Sequence, residues 1–130
     1  MSKERGFEVL CQTLGEFTLG RAPVDEGELE VAAMGHLLMR GFSVERQARG
    51  NSGRYDIVVR LPHQSVCIEI KRTATTTCVR QLDRYSSGFD GLILFCYRAS
   101  RPMKAILEKA KGSAKIPLEL IEARGALPLA

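Results

Sequence analysis

The segment 66-VCIEIKR-72 alternates, with Val66, Ile68 and Ile70 on one side and Cys67, Glu69 and Lys71 on the other. Period-two alternation is the signature of a strand. One side is apolar and belongs in a core, yet the other carries an acid and a base two residues apart. Just upstream, 55-YDIVVR-60 places Asp56 ahead of an apolar run. The intervening 62-PHQS-65 is turn-like. Two strands joined so closely form a hairpin that brings Asp56 and Glu69 side by side.

Around this hairpin the remaining elements follow in order. Phe7, Leu10, Cys11 and Leu14 recur at helical spacing, which predicts a helix over 4–14, and a short strand is expected around Phe17–Leu19. Acids at Asp25, Glu26, Glu28 and Glu30 start a second helix that runs to about Arg40, where Gly41 ends it. Phe42–Gln47 reads as a strand, and 48-ARGNSGR-54 as a glycine-rich turn. Thr75–Thr77 offer N-caps for a helix ending near Gly88, and 91-GLILFCY-97 is a buried strand. Ser100 and Pro102 open a helix to about Lys111, followed by Gly112, and Ile116–Glu122 is a last strand. The expectation is an α/β fold with a mixed β-sheet flanked by helices. Its order is αβββαβ with an extra C-terminal helix and strand. Residues 1–130 read as a single domain, with 1–25 as an N-terminal helix and extension and 28–97 as the core region.

Composition narrows the class. The chain is 45% hydrophobic and 26% charged, ordinary for a globular protein. It shows no apolar run of spanning length and no secretory signal, so the expectation is an intracellular protein, in cytoplasm or nucleoid, with no membrane partner. Nineteen basic against fifteen acidic side chains leave a net charge of +4, which permits nucleic-acid binding. Four cysteines without a CxxC pair, and only two histidines, argue against zinc and for buried thiols.

Some charges do not belong to a plain core. On a helical wheel Glu30 falls at the centre of a stripe made by Ala33, Met34, Leu37 and Leu38, with Gly35, His36 and Met39 on the other side. A carboxylate there is costly unless paired or bound to metal; the alternative is a solvated first-turn acid. His36 reads as a surface residue. Asp56 and Glu69 side by side repel, so they call for a cation between them. With only oxygen ligands on offer, Mg²⁺ or Mn²⁺ is the natural choice. Lys71 shares the face of Glu69 and can orient a metal-bound water or support charge on a phosphate. The plainer alternative is an ion pair of Glu69 with Lys71 or Arg60.

Asp56 followed by Glu69-Ile70-Lys71, with Glu30 on the preceding helix, resembles the core motif of the PD-(D/E)XK nucleases. The resemblance implies a restriction-endonuclease-like core and a metal-dependent deoxyribonuclease. In it Glu30, Asp56, Glu69 and Lys71 are catalytic, and Glu30, Asp56, Glu69 and the carbonyl of Ile70 bind metal. The span Glu30–Arg72 is most similar to archaeal-type Holliday junction resolvases, with Ser52 four residues before Asp56. That similarity implies a homodimer acting on branched DNA in recombination and repair. Tyr55 stands where the motif name has proline. Gln81 and Tyr85, within 80-RQLDRY-85, resemble the QxxxY motif of RecB-type nucleases, which act on single-stranded, flapped or duplex DNA. A catalytically silent DNA-binding subunit is the rival from another class. Phosphate contacts are expected from Arg49, Ser52 and Arg54, extended by Arg72, Arg80 and Arg84, with Gln81 and Tyr85 pointing to the site.

Overall fold

The computed structural model describes residues 3–46, 49–50, 53–54, 56–76, 78 and 88–123. Helix α1 spans Lys3–Glu16 and α2 Glu26–Met39; β1 spans Ser43–Arg46, β2 Arg49–Gly50, β3 Gly53–Arg54, β4 Ile57–Leu61, β5 Gln64–Ala74 and β6 Gly91–Ala99; α3 spans Arg101–Ser113 and β7 Leu118–Glu122. Five strands form one mixed sheet in the order β1-β4-β5-β6-β7. β1, β4 and β5 are antiparallel, whereas β5, β6 and β7 run parallel. The expected α/β class, the meander and the later crossover strands are all present.

Alternation along β4 and β5 splits the core into two layers. Ile57, Val59, Val66, Ile68 and Ile70 pack with Phe95 against Leu10 and Leu14 of α1 and Leu29, Ala33 and Leu37 of α2. Val58, Cys67, Leu94 and Cys96 turn the other way and pack with Met103 and Leu107 of α3. Each large side chain so buried contributes roughly 1.5–3 kcal/mol. Cys67, Cys78 and Cys96 are buried free thiols, as expected, and Cys11 is half-buried.

The turns and caps fix the register. Leu61 pairs with Gln64 across Pro62-His63, and His63 takes φ 62°. Pro at the first turn position with positive φ at the second is what a type II turn requires. The Asp25 carboxylate accepts the Glu28 N–H at 2.9 Å, capping α2, and Gly41 at φ 88° carries the chain out of it. Ser100 Oγ accepts the Met103 N–H at 3.1 Å at the start of α3. Asp90 and Ser65 exchange two hydrogen bonds that lock the start of β6 to β5. A Cβ on Gly91 would meet the Phe7 ring at 2.8 Å, so glycine lets α1 lie close on the sheet.

Several expectations are corrected. The short strand around Phe17–Leu19 is absent; Thr18 makes only an isolated bridge. The glycine-rich turn is partly a ribbon, with Arg49 opposite Arg54 and Gly50 opposite Gly53. Gly112 lies inside α3, not after it. Leu38 is exposed, and Leu29 takes its place on the buried side of α2. The buried stripe of α2 is therefore Leu29, Glu30, Ala33 and Leu37, rotated away from Leu38. His36 is not a surface residue: its Nε2 donates to the Thr13 carbonyl at 2.9 Å and its ring lies 4.9 Å from Phe17. The helix expected between Thr75 and Gly88 falls almost wholly outside the described residues.

Candidate active site

The site forms where β4 stops and β5 continues. Ile57 is the last β4 residue in register, opposite Ile68, while β5 pairs with β6 as far as Ala74. Residues 69–74 of β5 thus extend beyond β4. Asp56 sits in the bend just ahead of β4, level with Glu69. Its Oδ2 accepts the Ile70 N–H at 2.9 Å, so a side chain replaces the missing strand partner. The N–H and C=O of one strand residue point to the same side, which directs the Ile70 carbonyl toward Asp56 as well.

Glu69 and Lys71 stand on the α3 side of the sheet, in register with Leu94 and Cys96 of β6. Lys71 Nζ lies 3.7 Å from Glu69 Oε1. Glu69 Oε2 is buried and meets no hydrogen-bond donor among the described residues. Burial, then the negative charge of Asp56, push the Glu69 carboxyl up to about 8, against a smaller lowering pull from Lys71. Glu26, at the start of α2, adds to the rise. Burial also raises Asp56, opposed by the Ile70 N–H and assisted by the charge of Glu30. The charge of Asp56 disfavours ionisation of the buried Glu69 carboxyl. The pair therefore holds a proton near neutral pH where an isolated acid would not.

Glu30 is buried on α2, as the wheel implied, but a protein cation meets it. Arg46 Nε lies 3.4 Å from Oε1, and its Nη2 donates to Oε2 at 3.5 Å. Its charge reaches Asp56 from across the α2–sheet interface. The structure thus brings Asp56, Glu69, Ile70 and Lys71 together, while Glu30, held by its own guanidinium on the α2 side, reaches Asp56 through its charge. No group of three His, Cys, Asp or Glu among the described residues is gathered closely enough to hold an ion. Glu26 and Arg46 were missed from sequence. Glu26 reads in sequence only as one of the acids that the dipole favours at the start of α2, and Arg46 is recognised only once β1 is known to lie beside β4.

The residues expected on the DNA surface are placed unevenly. Arg49 and Arg54 are cross-strand partners in the β2–β3 ribbon. Arg72 points to the opposite side of β5 from Glu69, and its Nε donates to the Pro23 carbonyl at 2.8 Å, tying β5 to the segment before α2. Ser52, Arg80, Gln81, Arg84 and Tyr85 lie outside the described residues. Glu69 pairs with Lys71, but Arg60 pairs with Glu45 at 3.2 Å. Among the described residues no helix is long and apolar enough to cross a membrane. No protein-family model, curated protein or solved structure matches the chain.

Proposed function

We propose that the chain is a metal-dependent DNA endonuclease with a restriction-endonuclease-like core, hydrolysing phosphodiester bonds at Asp56, Glu69 and Lys71. One observation carries this: half-buried Asp56 stands level with buried Glu69, one oxygen of which meets no donor, beside a lysine at an open strand end. Protein interiors do not hold such a pair ionised without a cation. The donor set is all oxygen, which suits Mg²⁺ or Mn²⁺ over softer metals. Asp56, Glu69 and the Ile70 carbonyl would hold the ion, with Glu30 in support.

An ion held by these residues would supply polarisation of the phosphate and a lowered pKa for an attacking water. The chain's own residues do the rest. The Ile70 N–H fixes one Asp56 oxygen, leaving the other for the ion. Lys71 orients the water or balances charge developing on the phosphate. Arg49 and Arg54 grip the backbone of the substrate without reading its bases.

The leading substrate is branched DNA, a four-way junction cut by two copies of the chain. It rests on the spacing from Glu30 through Ser52 and Asp56 to Arg72. The Gln81–Tyr85 spacing and a helix before the last strand, realised as α3, favour instead a RecB-type nuclease acting on single strands, flaps or duplex. The chain incubated with Mg²⁺ and labelled junction, flap, single-stranded and duplex DNAs separates them. Paired symmetric nicks in the junction support the first, and degradation of single strands or flaps the second. Binding without cleavage of any of them leaves a silent DNA-binding subunit and removes the enzyme.

A further inference from the structure

Helix α2 is fastened to the sheet at two points, and the candidate site lies between them. At Glu30 the Arg46 guanidinium of β1 holds it, at 3.4 and 3.5 Å. Just ahead of the helix, buried Pro23 gives its carbonyl to Arg72 Nε of β5 at 2.8 Å. β1 borders β4, whereas Arg72 lies on the part of β5 that runs past the end of β4. The first turn of α2 therefore spans the gap that β4 leaves open, where Asp56 accepts the Ile70 N–H. Glu26 opens that turn. It stands four residues before Glu30, about 6 Å along the axis. Positions 26, 30, 33 and 37 recur at helical spacing, so Glu26 shares the side on which Glu30, Ala33 and Leu37 are buried. Glu26 itself is exposed, at the mouth of the gap. Its negative charge reaches Glu69, whose buried Oε2 meets no hydrogen-bond donor among the described residues. The neighbouring acids are engaged: Asp25 caps the helix and Glu28 meets Arg21 at 3.0 Å. No ion pair among the described residues involves Glu26.

We propose that Glu26 is a further acid of the cation site, facing a divalent ion from the α2 side through the ion's hydration water. The inference rests on the cation site proposed above and goes beyond it, since the resemblance gives Glu30 as the helix acid. Glu30 is turned to Arg46, which meets its charge. Asp56 and Glu69 approach the gap from the sheet and Lys71 from the α3 side, which leaves the α2 side to Glu26. Mg²⁺ held by one or two carboxylates keeps several of its waters, and those waters need acceptors. A solvated carboxylate can accept from them without the desolvation that direct ligation would cost. This suits an arrangement in which no three acids among the described residues close directly on one point.

Titration calorimetry of the full chain with Mn²⁺ alone, without DNA and at neutral pH, tests it. Glu26→Gln should weaken Mn²⁺ binding about tenfold, the lower end of what a group behind the direct ligands contributes. Glu26→Asp, which keeps the charge, should lose less. Glu28→Gln removes an acid from the same turn but from another side of the helix, and should leave the affinity unchanged. Glu26→Gln should also shrink the rise in melting temperature that Mg²⁺ gives at pH 8, a difference in which its lost helix-dipole contribution cancels. Parent-like Mn²⁺ affinity in Glu26→Gln overturns the inference while leaving the cation site standing. So do equal losses in Glu26→Gln and Glu28→Gln, which would reduce Glu26 to one charge in a diffuse field. A parent chain that binds no Mn²⁺ removes the cation site itself, and the role of Glu26 with it.

Discussion

Glu30 and Glu69 are the two carboxylates buried among the described residues, with side chains 6% and 5% exposed, and the chain treats them differently. Glu30 on α2 meets the fork of Arg46: Nη2 donates to Oε2 at 3.5 Å, and Nε lies 3.4 Å from Oε1, which, like Glu69 Oε2, is buried and outside hydrogen-bond geometry. Glu69 on β5 has a single ammonium at 3.7 Å from one oxygen, no donor on the other, and the negative charge of Asp56 acting on it. A guanidinium matches a carboxylate in shape as well as charge, and a lone ammonium does not. The charge at Glu30 is thus met by the protein itself. At Glu69 the negative side is left in excess, and a cation from outside would complete it.

The largest expected effects follow from that excess. Asp56→Asn and Glu69→Gln should each lower Mg²⁺-dependent cleavage on the order of 10²–10³-fold or more, while DNA binding persists or tightens as a negative charge facing phosphate is removed. Ca²⁺ should support binding without cleavage. Full activity in EDTA would end the metal mechanism. Lys71→Met should cost cleavage about 10–100-fold, within the range of one positioned proton-transfer or charge-stabilising group. A Lys71→Met enzyme as fast as the parent would reduce the lysine to an ordinary counter-ion.

Stability against pH sharpens the same comparison. Glu69 is pushed up to about 8 in the folded chain, by burial first and Asp56 second. The folded state therefore holds more protons than the unfolded state between the ordinary glutamate range near 4.5 and about 8. Stability must fall as pH rises through that window. Lys71 opposes the rise while Asp56 and Glu26 reinforce it. Melting temperature without metal should drop by several degrees from pH 5 to pH 8. Mg²⁺ should restore most of the loss at pH 8 and do little at pH 5, where it competes with protons. Glu69→Gln should flatten the profile. A parent profile that rises toward pH 8 would mean that the pair is already neutralised within the protein.

Much of this site was legible in the chain, and the reason is local. The hairpin itself was legible, but its turn is Pro62-His63, two residues shorter than the 62–65 expected, so Gln64 and Ser65 belong to β5 and Asp56 comes level with Glu69 and not Lys71. Strand alternation then sets Lys71 on the side of Glu69, and Ser100 and Asp25 announce their helices through capping chemistry. Arg46 was illegible because its meeting with Glu30 depends on β1 lying on the outer side of β4 while α2 crosses the sheet. No spacing within either segment encodes that. His36 was misread for a similar reason: its partner Thr13 belongs to another helix. Leu38 shows a third kind of failure. Composition cannot say which side of an apolar helix faces inward when both sides are apolar.

The smallest effects come from the balanced pair, and they are asymmetric. Arg46 is 41% exposed, so when Glu30 is replaced the guanidinium can turn to water. Glu30 has no such escape. Arg46→Ala should therefore destabilise the fold by about 1–2 kcal/mol, because it strips a buried carboxylate of its principal cation. Glu30→Leu should cost less than that in the same chemical denaturation series, since an apolar side chain suits the layer of Leu29, Ala33 and Leu37. Catalysis should reverse the ranking. Glu30 stands in support of the proposed ion, so Glu30→Gln should slow cleavage by about tenfold, toward the lower end of what one charge-stabilising group contributes. Arg46→Ala should change turnover less, as the carboxylate remains. Equal destabilisation by Arg46→Ala and Glu30→Leu would show that the pair behaves as a solvated surface contact. Unchanged turnover in Glu30→Gln would confine Glu30 to holding α2 on the sheet and leave the chemistry to Asp56, Glu69 and Lys71.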